Sequence, residues 1–384
     1  MKNKKIALLE NLGSDFYNAR LRFALHLKSL NYDVTAIIPD DGFLEKIKSY
    51  GINVIAVSKN IRGPGLINKL TYSKDLYRIF RSNNFDIIHT YRFQPNIIGT
   101  LIAGIQTRSK IVNHVTGLGT IFTHSSARYR LMQLLTKFVY RFNVLFFKPI
   151  LIFQNEQDIK DLNLKIKSFC VKGSAVNEDK FNNKNISVKK IENLIKKYKI
   201  LVSNDTVTFL FVSRLLKEKG VVELIKGFKL ASKKNNIQLL VVGWFDQNNP
   251  SSINEDFFFH LIQDYNNIKF LGRQKDIPEI ISLTDVSILP TYYREGTPRF
   301  LLESMAMNKP IITTKMPGCD HLIKNNENGV LIEPRSVIDV EKSIDMICNK
   351  DLSIMGNMSY KLYKKKFSEK LVYSSISNIY DSII

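Results

Sequence analysis

Short apolar runs alternate along the whole chain with longer segments that have the periodicity of a helix. Such runs predict buried strands, and strands that alternate with helices predict parallel sheets covered by helices. The predicted strands are 4–9, 33–39, 52–57, 85–89, 110–115 and 150–153, followed by 207–213, 238–242, 268–271, 286–289, 310–314 and 329–332. We therefore expect an α/β protein made of two doubly wound, Rossmann-like domains.

A polar segment rich in lysine and asparagine, residues 173–202, separates the two sets of strands. We place the domain boundary at its start, so that the first domain spans 1–172 and the second spans 173–366. The length of 384 residues accommodates two domains of ordinary size.

The segment 126–148 has the pattern of an amphipathic helix with an unusual composition. At the rotation per residue of an α-helix, Arg130, Lys137, Arg141 and Lys148 project from one face within about 40°. Leucine, phenylalanine and tyrosine fill most of the other positions. A basic helix rich in aromatic residues is typical of segments that lie on an anionic membrane. The alternative is a domain helix with a solvated basic stripe.

Charge is distributed unevenly. The net charge is +21 and the isoelectric point about 9.6, yet no aspartate or glutamate occurs between residues 87 and 155. An overall basic balance raises nucleic-acid binding as an alternative, but the chain lacks the aromatic and basic base-stacking motifs of that class. The concentration of charge in the first domain favours an anionic partner there.

The cysteines predict neither a disulfide framework nor a zinc site, because they are three in number and form no C-x-x-C pair. The first apolar run is too short for a signal peptide, and no run of 18 apolar residues exists. We therefore expect a cytoplasmic protein without a membrane-spanning helix, whose contact with a membrane is peripheral.

The most specific pattern lies between residues 285 and 318, which predict a strand, a turn, a helix and a second strand. Glu295 precedes the helix 299–307, and Glu303 lies about two turns further along. Two such carboxylates can accept hydrogen bonds from the hydroxyls of a sugar or ribose. The amides of Gly296 and Thr297, at the helix start, suit an anion. The alternative is two solvated helix glutamates.

Arg214 and Lys219 follow the strand 207–213 at the start of a predicted helix. A guanidinium fork and an ammonium at this spacing can clamp a diphosphate, although two surface cations on a loop are the alternative. The turn after the first strand lacks G-x-G-x-x-G, so a dinucleotide site is not indicated.

These motifs resemble those of the family 4 retaining glycosyltransferases, which have the GT-B fold of two Rossmann-like domains facing across a cleft. The resemblance rests on the E-x7-E element from Glu295 to Glu303, with Lys309-Pro310-Ile311-Ile312 and Pro317-Gly318 after it. The layout is similar to bacterial enzymes that add an N-acetylhexosamine to undecaprenyl-diphosphate sugars. The resemblance also implies that the last helix, 367–384, returns to the first domain.

The resemblance assigns roles to the donor side. Arg214 and Lys219 would hold the diphosphate of a nucleotide sugar and neutralise charge on the leaving group. Glu295 would bind donor-sugar hydroxyls and Glu303 the ribose, and Arg273 would border the base. Members of the family often have two glycines in the first loop, where this chain has only Gly13.

On the first domain, the family places a residue near the anomeric carbon, often a histidine after a strand. His114 is the nearest histidine, whereas Thr116 falls closer by strand register, and a packed His114 is equally compatible with the pattern. The flexible segment that contains Gly117 and Gly119 and the early Arg20 are candidates for binding the acceptor.

The implied reaction is the retaining transfer of an N-acetylhexosamine or related hexose from a nucleotide sugar, UDP-linked, to a lipid-diphosphate-linked saccharide. Such reactions build O-antigen, capsule or related glycans. No D-x-D motif occurs, so neither a metal nor another cofactor is expected. A GT-B epimerase or hydrolase is the alternative, but it would need further catalytic carboxylates in the acid-poor first domain.

Overall fold

The structure is a computed structural model that describes residues 3–58, 66–247, 249–324 and 326–383. Contacts between Cα atoms divide the chain into two compact units. The first unit is Met1–Ser174 with Lys370–Ile384, and the second is Ala175–Glu369. The division at Ser174 lies beside the boundary that the sequence places at residue 172.

The first unit is built on a seven-stranded parallel sheet. Its strands are β1 (Lys5–Leu9), β2 (Asp33–Pro39), β3 (Asn53–Val57), β4 (Ile87–Tyr91), β5 (Lys110–Val115), β6 (Ile150–Phe153) and β7 (Ser168–Cys170), in the order β3-β2-β1-β4-β5-β6-β7. Its helices are α1 (Gly13–Ala19), α2 (Leu21–Ser29), α3 (Leu44–Lys48), α4 (Leu66–Ser82), α5 (Thr100–Gln106), α6 (Gly119–Thr123), α7 (Ala127–Phe147) and α8 (Glu156–Leu162). All five residues of β4 are buried, as expected of a strand covered on both faces.

The second unit has a six-stranded parallel sheet. Its strands are β8 (Val207–Val212), β9 (Ile237–Val242), β10 (Ile268–Gly272), β11 (Val286–Leu289), β12 (Ile311–Thr314) and β13 (Gly329–Ile332), in the order β10-β9-β8-β11-β12-β13. Its helices are α9 (Val188–Tyr198), α10 (Val221–Ala231), α11 (Glu255–Ile262), α12 (Ile277–Ser282), α13 (Arg299–Ala306), α14 (Val337–Cys348) and α15 (Leu352–Lys366). The two predicted doubly wound sheets are therefore both present.

The last helix, α16 (Glu369–Asp381), packs on the first unit. The Tyr380 hydroxyl is hydrogen-bonded to Nδ1 of His89, and the Tyr373 ring lies 5.2 Å from that of Phe23. The Tyr32 hydroxyl donates to Asp381 at 2.9 Å. The chain thus returns to its first unit, although the final residue of the predicted helix, Ile384, is outside the described residues.

Each sheet has one point at which the strand order reverses, between β1 and β4 in the first unit and between β8 and β11 in the second. The carboxyl ends of parallel strands lie at one edge of the sheet. In open α/β sheets the crevice between the two loops at the reversal is where ligands bind. Ligand-binding residues are therefore expected in the loops that follow these four strands.

Two elements differ from the sequence predictions. The helix predicted over 17–30 begins at Gly13 and is interrupted at Arg20, which has φ −121° and ψ −23°. The polar segment 173–202 contains the helix α9, whose Leu194, Ile195 and Tyr198 pack on the core of the second unit. The helical spacing of these three apolar residues could have predicted α9, but the sequence analysis treated the segment as a polar linker because of its many lysines.

Candidate active site

The loops at the carboxyl edge of the second sheet hold the residues predicted to bind the donor. Arg214 follows β8, and Lys219 closes the short 3₁₀ turn Lys217–Lys219. Glu295 lies in the loop between β11 and α13. Because β8 pairs directly with β11, these two loops are neighbours at the reversal of strand order.

Two glycines let the loops pack backbone against backbone. Gly220 has φ +74°, and a Cβ atom there would lie 2.0 Å from the carbonyl oxygen of Pro290. Gly318, after β12, has φ +86°, and a Cβ atom there would lie 2.2 Å from the carbonyl oxygen of Gly296. A side chain at either position would force the loops apart, since its Cβ would overlap backbone atoms.

Lys219 and Glu295, which the sequence predicts to share a site, form an ion pair. Their side chains are only 12% and 14% exposed. The Lys219 ammonium also lies 4.8 Å from the centroid of the Tyr293 ring, whose face attracts a cation. The ammonium is therefore held between a carboxylate and an aromatic face.

Arg214 forms its ion pair with Asp246, in the loop after β9. Its Nη1 lies 2.9 Å from Oδ2 of Asp246, and both side chains are about one-third exposed. A guanidinium has five N–H donors and an ammonium three, so one carboxylate does not exhaust either cation. The edge of the sheet thus presents two cations, each partly neutralised by its own carboxylate.

The start of α13 lies beside this pair in the chain. Pro298 occupies the position before the helix and cannot cap it with its side chain. The Thr297 hydroxyl is 3.5 Å from Nε2 of His321, and Thr297 is buried. His321 also hydrogen-bonds to the neighbouring Asp320 carboxyl and lowers its pKa. Thr297 therefore contacts the loop after β12 through its side chain.

Glu303 lies on α13 and has its own partner. Its Oε1 is 3.5 Å from Nη2 of Arg299, one helical turn earlier. Burial raises the pKa of the Glu303 carboxyl, and the charges of Arg299 and Lys180 partly offset that effect. The two glutamates of the E-x7-E element thus have separate ion pairs, with Lys219 and with Arg299.

Arg273 follows β10 at the same edge of the sheet. Its guanidinium carbon lies 4.8 Å from the centroid of the Trp244 ring, in the loop after β9. Loops after five of the six strands, β8 to β12, therefore carry predicted site residues or their direct partners.

In the first unit, the structure separates the two candidates near β5. His114 is 2% exposed and stacks with His89 and Tyr91, and Gln154 lies 3.5 Å from its Nε2. Burial is the main cause that lowers the pKa of His114, which favours the neutral imidazole. Thr116 is half-buried and lies directly after the strand.

The loop after β1 is occupied by the protein's own carboxylates. Asp41 accepts a hydrogen bond from the Ser14 amide at 3.2 Å, and its side chain leaves no space for a Cβ atom at Gly13. Glu10 is fully buried and lies 3.6 Å from Nε of Arg20 and 3.2 Å from Nε of Arg92. Burial is the main cause that raises the pKa of Glu10, and the two arginines oppose the shift.

Arg20, predicted to bind the acceptor, is thus a buried partner of Glu10, and its guanidinium also stacks on the Tyr91 ring at 4.1 Å. Gly117 and Gly119 both have positive φ, +114° and +65°, and Gly119 begins α6. The segment after β5 therefore has the backbone conformation that favours glycine.

Comparison with known proteins gives two family matches. A family described as "Glycosyl transferase 4-like" matches residues 5–155, and one described as "Glycosyl transferases group 1" matches residues 189–365. Together the two matches reach into both sheets. The chain belongs to the family 4 glycosyltransferases.

Relatives of this glycosyltransferase cover its whole length. The N,N'-diacetylbacillosaminyl-diphospho-undecaprenol alpha-1,3-N-acetylgalactosaminyltransferase of Campylobacter jejuni is 25% identical over 389 residues, with 99% of each chain covered. The capsular polysaccharide biosynthesis glycosyltransferase CapM of Staphylococcus aureus is 26% identical over 397 residues, covering 100% of this chain and 98% of CapM. A UDP-Gal:alpha-D-GlcNAc-diphosphoundecaprenol alpha-1,3-galactosyltransferase of Escherichia coli is 25% identical, covering 80% and 78%.

Solved structures agree on the fold. A glycosyltransferase from Rickettsia africae has a TM-score of 0.79 at 22% identity, covering 100% of this chain and 99% of that one. Anabaena HepE, solved with UDP and glucose, has a TM-score of 0.77 at 18% identity, covering 99% and 100%. The predicted GT-B fold class is confirmed.

The helix α7 of this glycosyltransferase exposes a continuous apolar face. Thr136, Tyr140 and Asn143 are buried against the unit. On the opposite side, seven large apolar side chains are between 40% and 70% exposed; they are Leu131, Leu134, Leu135, Phe138, Phe142, Leu145 and Phe146. Arg130, Lys137 and Arg141 of the predicted basic stripe lie along one margin of that face, whereas Lys148 follows the last helical residue with φ +45° and is not part of the helix. Among the described residues, no helix combines the length and apolar character needed to cross a bilayer.

Sequence reasoning did not assign a role to five residues that the structure places in the loops after strands: Glu10 after β1, Asp41 after β2, Arg92 after β4, and Trp244 and Asp246 after β9. Their positions after strand ends could have indicated them, since ligands bind at that edge of a parallel sheet. Within the described ranges, no three histidine, cysteine or carboxylate side chains are grouped so as to hold a metal ion. That the reaction needs no metal remains a prediction.

Proposed function

We propose that this glycosyltransferase moves a hexose or N-acetylhexosamine from a UDP-sugar to a lipid-diphosphate-linked saccharide, with retention of anomeric configuration. The relatives named above act, by their names, on undecaprenol-diphosphate-linked sugars or in capsule synthesis, which supports this substrate class. HepE was solved with UDP, which supports the donor. The product would enter a surface polysaccharide or glycan.

The observation that carries the proposal is the Lys219–Glu295 pair at the reversal of strand order, next to the loop of Arg214. A donor diphosphate would compete with the carboxylates for both cations. The two cations would neutralise the negative charge that develops on the diphosphate as it leaves the sugar. Once the diphosphate has displaced Glu295 from Lys219, the Glu295 carboxylate would accept hydrogen bonds from the hydroxyls of the donor sugar. An oxygen of the leaving phosphate would take the proton of the attacking acceptor hydroxyl.

Thr116, rather than His114, is our candidate for the residue near the anomeric carbon. The His114 ring is enclosed by His89, Tyr91 and Gln154, whereas Thr116 is half-buried at the end of β5. The rate of sugar transfer should fall in Thr116→Val, because the site loses a hydroxyl. His114→Asn should mainly lower the melting temperature, because it disturbs the packed interior.

A donor screen tests the proposed reaction. The purified protein is given UDP-sugars, with GDP- and dTDP-sugars as alternatives, and a lipid-diphosphate-linked saccharide as acceptor. We expect transfer from one UDP-hexose or UDP-N-acetylhexosamine, with an α-linked product from the α-linked donor by NMR. Transfer from no UDP-sugar, or an inverted product, would contradict the proposal.

We also propose that α7 docks the enzyme on the cytoplasmic face of the inner membrane, where a lipid-linked acceptor resides. The exposed apolar face would enter the interface, and the basic margin would meet anionic headgroups. Replacing Arg130, Lys137 and Arg141 by glutamine should weaken binding to anionic vesicles by about a hundredfold, at about 1 kcal/mol per charge.

The matched control replaces three exposed lysines of the second unit, Lys189, Lys196 and Lys233, by glutamine. This variant has the same net charge as the α7 variant, so vesicle binding should stay close to that of wild type. Equal losses in both variants would mean that net charge alone, not α7, attracts the vesicles.

A further inference from the structure

Trp244, the single tryptophan of the chain, lies at the ligand edge of the second sheet. It is 39% exposed, whereas its neighbour Phe245 packs its ring against Phe258 at 5.6 Å and Phe270 at 5.8 Å. The aromatic cluster beneath the loop is thus filled by Phe245. Packing of the core does not explain why the larger indole lies outside.

The position of Trp244 is fixed relative to the predicted diphosphate site. Its carbonyl oxygen accepts a hydrogen bond from the Leu215 amide at 3.0 Å, next to Arg214 in the chain. Arg273 stacks on the indole from the loop after β10. The strand order β8-β9-β10 therefore presents Arg214, Trp244 and Arg273 in sequence along one edge. Two strand spacings of about 4.8 Å make this row roughly 10 Å long, which is the scale of a nucleotide.

From this arrangement we propose that Trp244, backed by Arg273, is the platform on which the base of the nucleotide donor stacks. A flat, polarisable indole face suits any nucleobase, and the guanidinium stacked on one face holds the ring so that the base can stack on the other face. The inference rests on the proposed function, because it takes the diphosphate to lie at Arg214. It adds a donor-binding residue that the E-x7-E element does not contain.

Titration with UDP and, separately, with inorganic pyrophosphate tests the platform. Loss of base stacking should weaken UDP binding to Trp244→Ala by about five- to one-hundredfold. Pyrophosphate has no base, so its affinity should be unchanged in the same variant. Trp244→Phe keeps an aromatic face and should bind UDP within a few-fold of wild type. In wild type, UDP should also change the tryptophan fluorescence, which comes from this residue alone.

Phe257→Ala is the matched control, since Phe257 is an exposed aromatic residue of the same unit, 46% exposed on α11; its UDP affinity should equal that of wild type. Unchanged UDP affinity in Trp244→Ala would overturn the platform while leaving the proposed function intact. Equal losses for UDP and pyrophosphate would also overturn it, because they would indicate a disturbed loop. Failure of wild type to bind UDP at all would instead reject the proposed donor.

Discussion

The two sheets carry similar charges at their points of reversal but use them differently. In the second unit, Lys219 pairs with Glu295 and Arg214 pairs with Asp246, and the Lys219 and Arg214 side chains are 12% and 34% exposed. In the first unit, one buried carboxylate, Glu10, is shared by Arg20 and Arg92, and Arg92 has a second partner, Asp15, at 2.8 Å. The amide of Ser14 is likewise occupied, by Asp41.

We infer that the difference separates a structural network in the first unit from the proposed donor-binding site in the second. In the first unit the fully buried Glu10 pairs with both Arg20 and Arg92 and so joins the segments after β1 and β4, although the Arg92 side chain is 38% exposed. In the second unit one carboxylate cannot use all the donors of a guanidinium or an ammonium, so we propose that an anion exchanges with the carboxylate. Mutations at the two reversals should therefore affect different quantities: activity in the second unit and folding stability in the first.

The largest effect is expected in the second unit. Arg214→Ala, Lys219→Ala and Glu295→Ala should each reduce the rate of sugar transfer by about a hundredfold or more, the usual cost of losing one preorganised charge contact. Lys217→Ala is the control, since Lys217 is an exposed lysine of the same short turn. The melting temperature of Arg214→Ala should stay near that of wild type, because both partners of its ion pair are partly exposed. Lys219→Ala and Glu295→Ala each leave a largely buried partner without its counter-charge and should also lower the melting temperature. Full activity in the Arg214 or Glu295 variant would reject the site.

In the first unit, Glu10→Ala should lower the free energy of unfolding by about 3 kcal/mol, because it leaves a buried guanidinium without its carboxylate. Denaturant titration measures this loss. Glu10→Gln, which keeps hydrogen-bond acceptors, should be less destabilising. If Glu10→Ala unfolds like wild type and loses only activity, the network is functional and the comparison fails.

The packing of the loops gives an intermediate case. Gly318→Ala would place a methyl group within 2.2 Å of the Gly296 carbonyl oxygen, so the loop that holds Glu295 must move. We expect roughly a tenfold loss of transfer and a stability loss of about 1–3 kcal/mol. Gly42→Ala, also at positive φ but with open space around its Cβ position, controls for backbone strain alone. Equal effects at both positions would show that loop contact is not responsible.

The smallest effect concerns pH. Burial raises the pKa of Glu303 above the ordinary 4.5, so this carboxylate becomes protonated at a higher pH than an exposed glutamate does. If it accepts a ribose hydroxyl, UDP affinity should fall about fivefold as the pH drops through that raised pKa, since a charged acceptor is stronger. In Glu303→Gln the fall in UDP affinity that is due to protonation of Glu303 should disappear, so that only the titration of UDP itself affects its binding. Identical pH profiles for the two proteins would remove Glu303 from the site.

The sequence was sufficient for the sheets and for the second-unit motif because both are local. Each strand is a short apolar run, and Glu295 and Glu303 lie on one loop and helix whose boundaries the pattern marks. Contacts between distant strands were not predictable in this way. Nothing in the order of residues indicates that Asp246 neutralises Arg214, or that Asp41 reaches the start of α1 near Gly13.

Arg20 and His114 illustrate the remaining limit. Both occur at plausible distances after a strand, and residue type alone does not distinguish a ligand contact from an interior one. The fold buries both, Arg20 beside Glu10 and His114 in a stack of rings. Their burial depends on contacts between residues far apart in the chain. For example, Tyr380 of the last helix, α16, is hydrogen-bonded to His89, which stacks on His114.

Calorimetric titration of UDP against wild type, Lys217→Ala and the double variant Arg214→Ala/Lys219→Ala tests the central claim most directly. We expect wild type and Lys217→Ala to bind UDP alike, and the double variant, still folded by circular dichroism, to show no measurable binding. Undiminished UDP affinity in the double variant would contradict the claim that these two cations hold the donor diphosphate.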